Sequence, residues 1–220
     1  MHCIGAGFCN PDPRMAAHII FVTGTDTGVG KTMLAALLTQ RLRKQGVGVA
    51  ALKPICSGNR EDARALRLAA GKVLALDEVN PWHFRAPLAP LLAARKERKR
   101  VRLRQVIAHV RRLARRFEVL VVEGAGGLLS PLGENFDSRD LTVTLGAKAI
   151  VVCPNRLGAV NQVLLVLEAL PRALATRAPV VLVCPQKPDA ASRSNPKLLA
   201  EILGAQRVRV LPWLRRLELG

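Results

Sequence analysis

The sequence predicts a single α/β domain in which a mostly parallel sheet is covered by helices on both faces. Short apolar runs rich in β-branched residues alternate with helix-like segments along the chain. These runs are continuous rather than alternating, as expected for strands that are buried on both faces of a sheet. No repeat or linker divides the 220 residues, and half of them are apolar, so the chain can bury one core.

The predicted elements follow one another in regular order. The predicted strands cover residues 19–23, 47–52, 119–122, 149–152, 180–183 and 208–211. The predicted helices lie between them, at residues 31–44, 63–70, 103–116, 159–170 and 196–203. Because the first strand signal comes just after Met15, we interpret residues 1–14 as an N-terminal extension and expect the domain to cover residues 15–220.

The charge balance is strongly basic. The chain has 34 Lys and Arg against 16 Asp and Glu, a formal net charge of +18, which attracts anions of any class. The densest basic run, residues 95–104, fits a nucleic-acid surface or a solvated helix face. We favour the helix face and expect no nucleic-acid partner, because no aromatic side chains interleave with the arginines. No membrane partner is expected either, since no apolar run approaches the ~18 residues of a membrane span.

The five cysteines do not form a metal or disulfide pattern. Cys56, Cys153 and Cys184 lie in apolar stretches and are interpreted as small core residues in a reducing, cytoplasmic compartment. Cys3 and Cys9 match no zinc-ligand spacing, and no second pair follows them. We therefore expect no metal role for them.

A phosphate-binding loop is the most informative motif. Residues 21–32 (FVTGTDTGVGKT) follow a strand signal and open a helix, which is the context that such a loop needs. The glycines let backbone N–H groups approach phosphate oxygens, and the helix adds its positive end. Lys31 can reach the β- and γ-phosphates, and the Thr32 hydroxyl can ligate Mg²⁺. Gly24 stands one residue earlier than the common spacing requires.

Other polar residues stand where strands end. Residues 119–127 (VLVVEGAGG) predict a buried strand that ends in an acid and a glycine turn. Ligands gather at the carboxyl ends of strands in open α/β sheets, so the Glu123 carboxylate can hold Mg²⁺ beside the loop. Lys53 ends another strand and can neutralise a phosphoryl group, and Ser57 can donate a hydrogen bond. From its position alone, Asp62 is interpreted as an ordinary acid in a first helical turn.

In combination, these motifs resemble the dethiobiotin synthetase family of P-loop NTPases. The matching segments fall, in the family's order, at residues 23–32, 53–58, 80–90, 122–132, 140, 157–161 and 211–214. The resemblance implies an enzyme that uses ATP, Mg²⁺, CO₂ and 7,8-diaminononanoate. A carbamate formed on one amine would receive the γ-phosphoryl group, and the second amine would then close the ureido ring of dethiobiotin.

The resemblance also implies roles for individual residues. Lys31 and Lys53 would stabilise the transferred group. The ligands of Mg²⁺ would be Thr32, Asp62 and Glu123, which reverses the interpretation of Asp62. The nucleotide would contact Gly28, Val29, Gly30, Lys31, Thr32, Met33, Asp62, Glu123, Gly124, Ala125, Gly126, Gln186, Leu211 and Pro212. The substrate would contact Thr27 and Ser57, and, across a homodimer interface, Gly158, Ala159, Val160 and Asn161.

Three points stay open at this stage. Gln186 stands where the family carries an Asn that reads adenine, so the resemblance does not fix the preferred base. The runner-up hypothesis is a nucleotide switch of the partition-ATPase type that binds partners or DNA. The net charge of +18 favours it, but Asp26 stands where those ATPases carry an extra Lys. A cobalamin-pathway amidase would need a glutaminase domain, for which the chain is too short.

Overall fold

The computed structural model describes residues 17–214. Ten strands lie in that range: β1 (His18–Gly24), β2 (Val49–Leu52), β3 (Ile55–Ser57), β4 (Trp82–Phe84), β5 (Val119–Glu123), β6 (Pro131–Gly133), β7 (Phe136–Asp137), β8 (Lys148–Pro154), β9 (Val180–Val183) and β10 (Val208–Leu211). The helices of the same range are α1 (Lys31–Lys44), α2 (Glu61–Ala69), α3 (Leu76–Val79), α4 (Pro90–Lys96), α5 (Leu103–Ala114), α6 (Ser138–Leu145), α7 (Ala159–Ala169), α8 (Arg172–Ala175) and α9 (Ala190–Leu203).

Six strands form a parallel sheet in the order β10-β9-β8-β1-β5-β2. The other four make two small ribbons, β3 with β4 and β6 with β7. All four residues of β2 and the last four of β5 are buried. Because successive side chains of a strand point to opposite faces, helices must cover both faces of the sheet. The predicted single-domain fold is confirmed.

The sheet order decides where a ligand site can form. Strand β1 lies between β5 and β8, with Val22 in register with Glu123 and Gly24 in register with Val152. The carboxyl ends of all six strands lie at one edge because the strands are parallel. The loop after β1 and the acid that ends β5 are therefore neighbours at that edge.

The core divides into two clusters along the sheet. The larger one includes Phe21 and Leu120 from the strands β1 and β5, with residues of α1, α2, α5 and α6. The smaller one centres on β8 and β9 and includes Leu199 from α9. The aromatic share of only 3% leaves most of this packing to aliphatic side chains.

The predicted elements agree with the observed ones in their centres. Helix α1 and strands β9 and β10 have the predicted bounds. Helices α4 and α6 and the two small ribbons were not predicted, because their segments are short and lack a clear period. Helix α9 begins at Ala190 rather than at Pro196, so its predicted start was wrong. The Asp189 side chain caps it by accepting a hydrogen bond from the Ser192 N–H at 2.7 Å.

Two further expectations need correction. The basic run of residues 95–104 is not one helix face, because α4 ends at Lys96 and α5 begins only at Leu103. Cys56 and Cys153 are buried, whereas Cys184 is only half-buried. The expectations for Cys3, Cys9 and residues 1–14 fall outside the described residues. Within residues 17–214, no helix is long and apolar enough to cross a membrane.

We expect the first turn of α6 to depend on the cap formed by Asp137. Its Oδ1 accepts a hydrogen bond from the Asp140 N–H at 2.9 Å, and Asp140 Oδ2 accepts one from the Asp137 N–H at 3.0 Å. Asp137→Ala should lower the free energy of unfolding by about 1 kcal/mol, whereas Asp137→Asn should keep most of it. Denaturant titration of both variants measures the difference, and equal losses would contradict the capping role.

Candidate functional site

A cavity of about 680 Å³ opens at the carboxyl edge of β1, β2 and β5. It collects many residues that the sequence predicted: Thr27, Gly28, Gly30, Lys31, Thr32, Lys53, Ser57, Asp62, Glu123, Ala125 and Gly126. Its other walls were not predicted as site residues, and they consist of Cys56, Asn59, Pro87, Leu88, Ala89, Pro90, Ser130 and Pro131. None of these residues carries a charged group, and all but Asn59 lie in the family-like segments 53–58, 80–90 and 122–132, which were the only signal for them.

The loop between β1 and α1 has the geometry of an anion site. Gly28 and Gly30 adopt φ of 72° and 98°, a left-handed conformation that glycine reaches without strain. Gly30 is the N-cap of α1, and the first backbone bond of the helix runs from the Leu34 N–H to its carbonyl at 3.0 Å. The N–H groups before Leu34 therefore lack intrahelical partners, and they form the positive end of the helix.

Lys31 lies buried inside this loop. Its Nζ donates a hydrogen bond to the Asp26 carbonyl oxygen at 2.6 Å. Burial and the nearby charge of Lys53, against the opposing attraction of Glu123, together lower the pKa of the Lys31 ammonium to about 8. A cation held by a single carbonyl can readily exchange that partner for an anionic oxygen.

A buried ion-pair cluster lies beside the loop. The Lys53 ammonium contacts Glu123 Oε1 at 2.6 Å and Asp62 Oδ2 at 2.6 Å. The Thr32 hydroxyl donates to the same Glu123 Oε1 at 2.8 Å. The Lys53 side chain is 7% exposed and that of Glu123 is 1% exposed, whereas that of Asp62 is 49% exposed. The cluster therefore joins the ends of β2 and β5 to the starts of α1 and α2.

The charges of this cluster depend on one another. Burial alone would lower the pKa of Lys53, but the Glu123 and Asp62 carboxylates outweigh it and raise the pKa. Burial would raise the pKa of Asp62, but Lys53 holds it below its usual range. Complete burial raises the pKa of Glu123 in spite of Lys53. Both acids therefore favour the charged form of Lys53.

The same oxygens suit a hard divalent cation. Glu123 Oε2 is buried and has no hydrogen-bond partner, an arrangement that is unfavourable unless a ligand completes it. Carboxylate and hydroxyl oxygens from Glu123, Asp62 and Thr32 are the ligand types that Mg²⁺ prefers. The described residues contain no group of three or more His, Cys, Asp or Glu that could hold a metal. A cation with few protein ligands, such as Mg²⁺ on a phosphate, fits this set best.

Three of the predicted nucleotide contacts lie behind the cavity wall rather than in it. Val29 is buried, and Met33 is half-buried in the first turn of α1. Gly124 is buried too, and a Cβ there would lie 2.8 Å from the Ser138 hydroxyl. None of the three lines the cavity.

Other predicted residues lie farther along the strand ends. Leu211 accepts a hydrogen bond from the Cys184 N–H at 2.9 Å, so the segments with Gln186 and Pro212 adjoin there. This region lies on the other side of the loop, since a Cβ on Gly30 would be 3.0 Å from the Val183 side chain. None of the three predicted residues lines the cavity.

The predicted substrate turn also lies outside the cavity. Gly158 is the left-handed N-cap of α7, at a φ of 87°, and Ala159, Val160 and Asn161 form its first turn. Neither Gly158 nor Asn161 is among the cavity-lining residues. The single chain therefore does not bring this turn to the site.

The chain is similar to known proteins over most of its length. A family model described as an AAA domain matches residues 18–219. The chain is 41% identical over 200 residues to the ATP-dependent dethiobiotin synthetase BioD of Anaeromyxobacter dehalogenans, covering 88% of this chain and 89% of that protein. The proteins of the same name from Methanococcus vannielii and Bacillus licheniformis are 36% and 34% identical over 166 and 200 residues. They cover 76% and 88% of this chain, and 79% and 85% of their own lengths.

Solved structures of P-loop proteins share the fold. The signal recognition particle 54 kDa protein of Aeropyrum pernix, in complex with GDP, aligns with a TM-score of 0.52 and 16% identity over 92% of this chain and 44% of its own. The cell division protein FtsY of Thermotoga maritima aligns with a TM-score of 0.52 and 15% identity. The alignment covers 90% of this chain and 61% of the FtsY chain. At such identities the likeness concerns the fold alone.

The lowered pKa of Lys31 predicts that ATP binding weakens as the pH rises. Without a ligand, the Lys31 ammonium loses its proton as the pH rises past about 8, whereas a bound phosphate would keep the proton on it. The dissociation constant for ATP without metal should therefore increase about tenfold between pH 7 and pH 9. Calorimetric titration measures it. Lys31→Arg is the control, because a guanidinium stays charged over this range, and an equal increase in both proteins would contradict the assignment.

Proposed function

We propose, from the premise that the chain belongs to the dethiobiotin synthetase family, that it closes the ureido ring of dethiobiotin from 7,8-diaminononanoate, CO₂ and ATP. As a member of that family, it is an ATP-dependent ligase of biotin biosynthesis that forms C–N bonds. The proposal concerns the chemical steps, the metal, the second subunit and the residues that serve them.

One observation carries the proposal. Two lysines and two carboxylates line the same cavity, namely Lys31, Lys53, Glu123 and Asp62. Helix α1 begins at this cavity and offers N–H groups that have no intrahelical partner. Phosphoryl transfer requires mainly that the reactants be positioned and that negative charge be neutralised. Cations and metal-binding oxygens beside a phosphate loop supply both requirements.

In this proposal, the triphosphate lies along the loop from Thr27 to Thr32. The backbone N–H groups of Gly28, Gly30 and the first turn of α1 donate to its oxygens. Lys31 leaves the Asp26 carbonyl and contacts the β- and γ-phosphates. The base extends toward Gln186, Leu211 and Pro212, which lie on the far side of the loop from the cavity.

Thr32, Asp62 and Glu123 would hold Mg²⁺ in the proposed site, with the unpartnered Glu123 Oε2 as a ligand. When bound, the ion would neutralise charge on the phosphate oxygens. The Lys53 ammonium, buried between Glu123 and Asp62, would turn toward the transferred phosphoryl group, and its burial keeps it out of bulk water.

The diamine occupies the part of the cavity nearest Ser57. One amine adds to CO₂ and loses a proton to give a carbamate, whose oxygen attacks the γ-phosphorus and releases ADP. The second amine then attacks the carbamate carbon, and phosphate leaves as the ring closes. Lys53 stabilises the negative charge that develops in these steps. Ser57, now bonded to the Leu88 carbonyl at 2.5 Å, lies where it can contact the carbamate.

The substrate turn at Gly158–Asn161 serves the site of a second copy. Three large apolar side chains near this turn and the loop after β5 are well exposed, namely Leu157 at 84%, Leu165 at 61% and Leu129 at 51%. Exposed apolar surface of this kind is typical of a face that another chain covers. We propose a homodimer in which Asn161 and its neighbours reach the carboxylate tail of the diamine in the other subunit.

Removal of either charged group of the Lys53–Glu123 pair should greatly slow turnover. Lys53→Ala should lower the rate of dethiobiotin formation by at least about 100-fold, and Glu123→Ala should do so too. Mass spectrometry of the product, with 7,8-diaminononanoate, bicarbonate, ATP and Mg²⁺, measures the rate. The matched control is Lys148→Ala, an exposed lysine at the amino end of β8, which should retain wild-type activity.

Two outcomes would contradict the proposed function. One is wild-type protein that binds ATP but releases no additional ADP when the diamine and bicarbonate are added. The other is ATP hydrolysis stimulated by DNA at ~150 mM salt and indifferent to the diamine, which would favour a partition-type switch. Chelation of Mg²⁺ should stop product formation, and unchanged turnover after chelation would exclude the metal role.

A further inference from the structure

Asn80, which follows α3, has a fully engaged side chain beneath the ion-pair cluster. It is 1% exposed. Its Nδ2 donates to the Lys53 carbonyl oxygen at 2.7 Å and to that of Pro54 at 3.3 Å. Its Oδ1 accepts from Arg60 Nε at 3.1 Å and from the Cys56 thiol at 3.2 Å. The amide thus holds the main chain on both sides of the turn that carries Lys53.

Arg60 extends this network to α2. It is the N-cap residue of the helix whose second residue is Asp62. Its guanidinium donates to the carbonyl oxygen of Asn80 at 2.8 Å and to the Asp77 carboxylate at 2.8 Å. The start of α2 is therefore fixed to the same segment that fixes Lys53.

Lys53 and Asp62 belong to different elements, and their side chains meet at 2.6 Å. Hydrogen bonds through Asn80 and Arg60 link the two backbones, and neither residue lines the cavity. We propose that Asn80 and Arg60 are positioning residues, which hold the main chain at Lys53 and at the start of α2 so that the Lys53 ammonium and the Asp62 carboxylate meet beside the phosphate loop. The inference rests on the proposed function and deepens it.

The chemistry of the network explains why an amide is needed. Asn presents a donor to the Lys53 carbonyl and an acceptor to the Arg60 guanidinium in one rigid group. Asp would keep the shape and the acceptor, but it would direct a second acceptor at the Lys53 carbonyl. A displacement of catalytic groups by about 1 Å can lower a rate by as much as 100-fold.

The first experiment compares Asn80→Asp with the wild-type protein. We expect kcat for dethiobiotin formation to fall about 10- to 100-fold, because the Lys53 turn moves. The KM for ATP should change less than about threefold, since the loop from Gly28 to Thr32 is untouched. The control is Leu199→Ala in the smaller core cluster, which should lower the melting temperature while leaving kcat near the wild-type value.

Arg60→Lys keeps the proposal testable if Asn80→Asp does not fold. A lysine retains the charge but lacks the planar fork with which Arg60 donates from Nε to Asn80 Oδ1 and from Nη2 to the Asn80 carbonyl, so kcat should again fall with little change in KM. In the double variant the two losses should overlap rather than multiply, because both substitutions break one network.

A crystal structure of Asn80→Asp separates this inference from the proposed function. The Lys53 Nζ to Asp62 Oδ2 distance should increase by about 1 Å or more from 2.6 Å, whether or not the wild type makes dethiobiotin. A wild type without this activity would refute the proposed function alone. An unchanged distance, a kcat within threefold of wild type, or an equal loss of kcat in Leu199→Ala would overturn the positioning role.

Discussion

The buried ion pair between Lys53 and Glu123 is the interaction on which the rest of the site depends. A charge removed from water is strongly unfavourable unless a partner and hydrogen bonds compensate it, so neither group could remain at this depth alone. Parallel strands provide the opportunity, because β2 and β5 end at the same edge and place the two residues 2.6 Å apart. Thr32 and Asp62 complete the cluster from two helix starts.

The fold and half of the site were open to prediction from local sequence. Lys31 and Thr32 stand in a glycine-rich loop between a strand and a helix, a pattern that is typical of phosphate binding. Glu123 ends a strand whose apolar residues predict that it is buried. Asp62 was different. From the residues alone it was interpreted as an ordinary helix acid, because its contact with Lys53 depends on a turn that Arg60 and Asn80 hold from a distant segment. Only the family resemblance indicated a ligand.

The remaining misses have comparable physical causes. The cavity walls at Leu88–Pro90 and Ser130–Pro131 carry no charge or period that local patterns could reveal. The predicted start of helix α9 was too late, because a proline is common in the first turn of a helix and Pro196 was taken for that position. The residue that caps the helix, Asp189, lies seven residues earlier. The turn at Gly158 does not reach the cavity of its own chain, and only the family resemblance implied that it serves a second copy.

A crystal structure with a non-hydrolysable ATP analogue, Mg²⁺ and the diamine tests the central claim most directly. The account predicts that Glu123 and Asp62 bind the metal, that Lys53 Nζ has left at least one carboxylate for a γ-phosphate oxygen, and that an amine lies beside the terminal phosphorus. A Lys53 ammonium still within 2.6 Å of both acids, with the diamine bound far from that phosphorus, would contradict it.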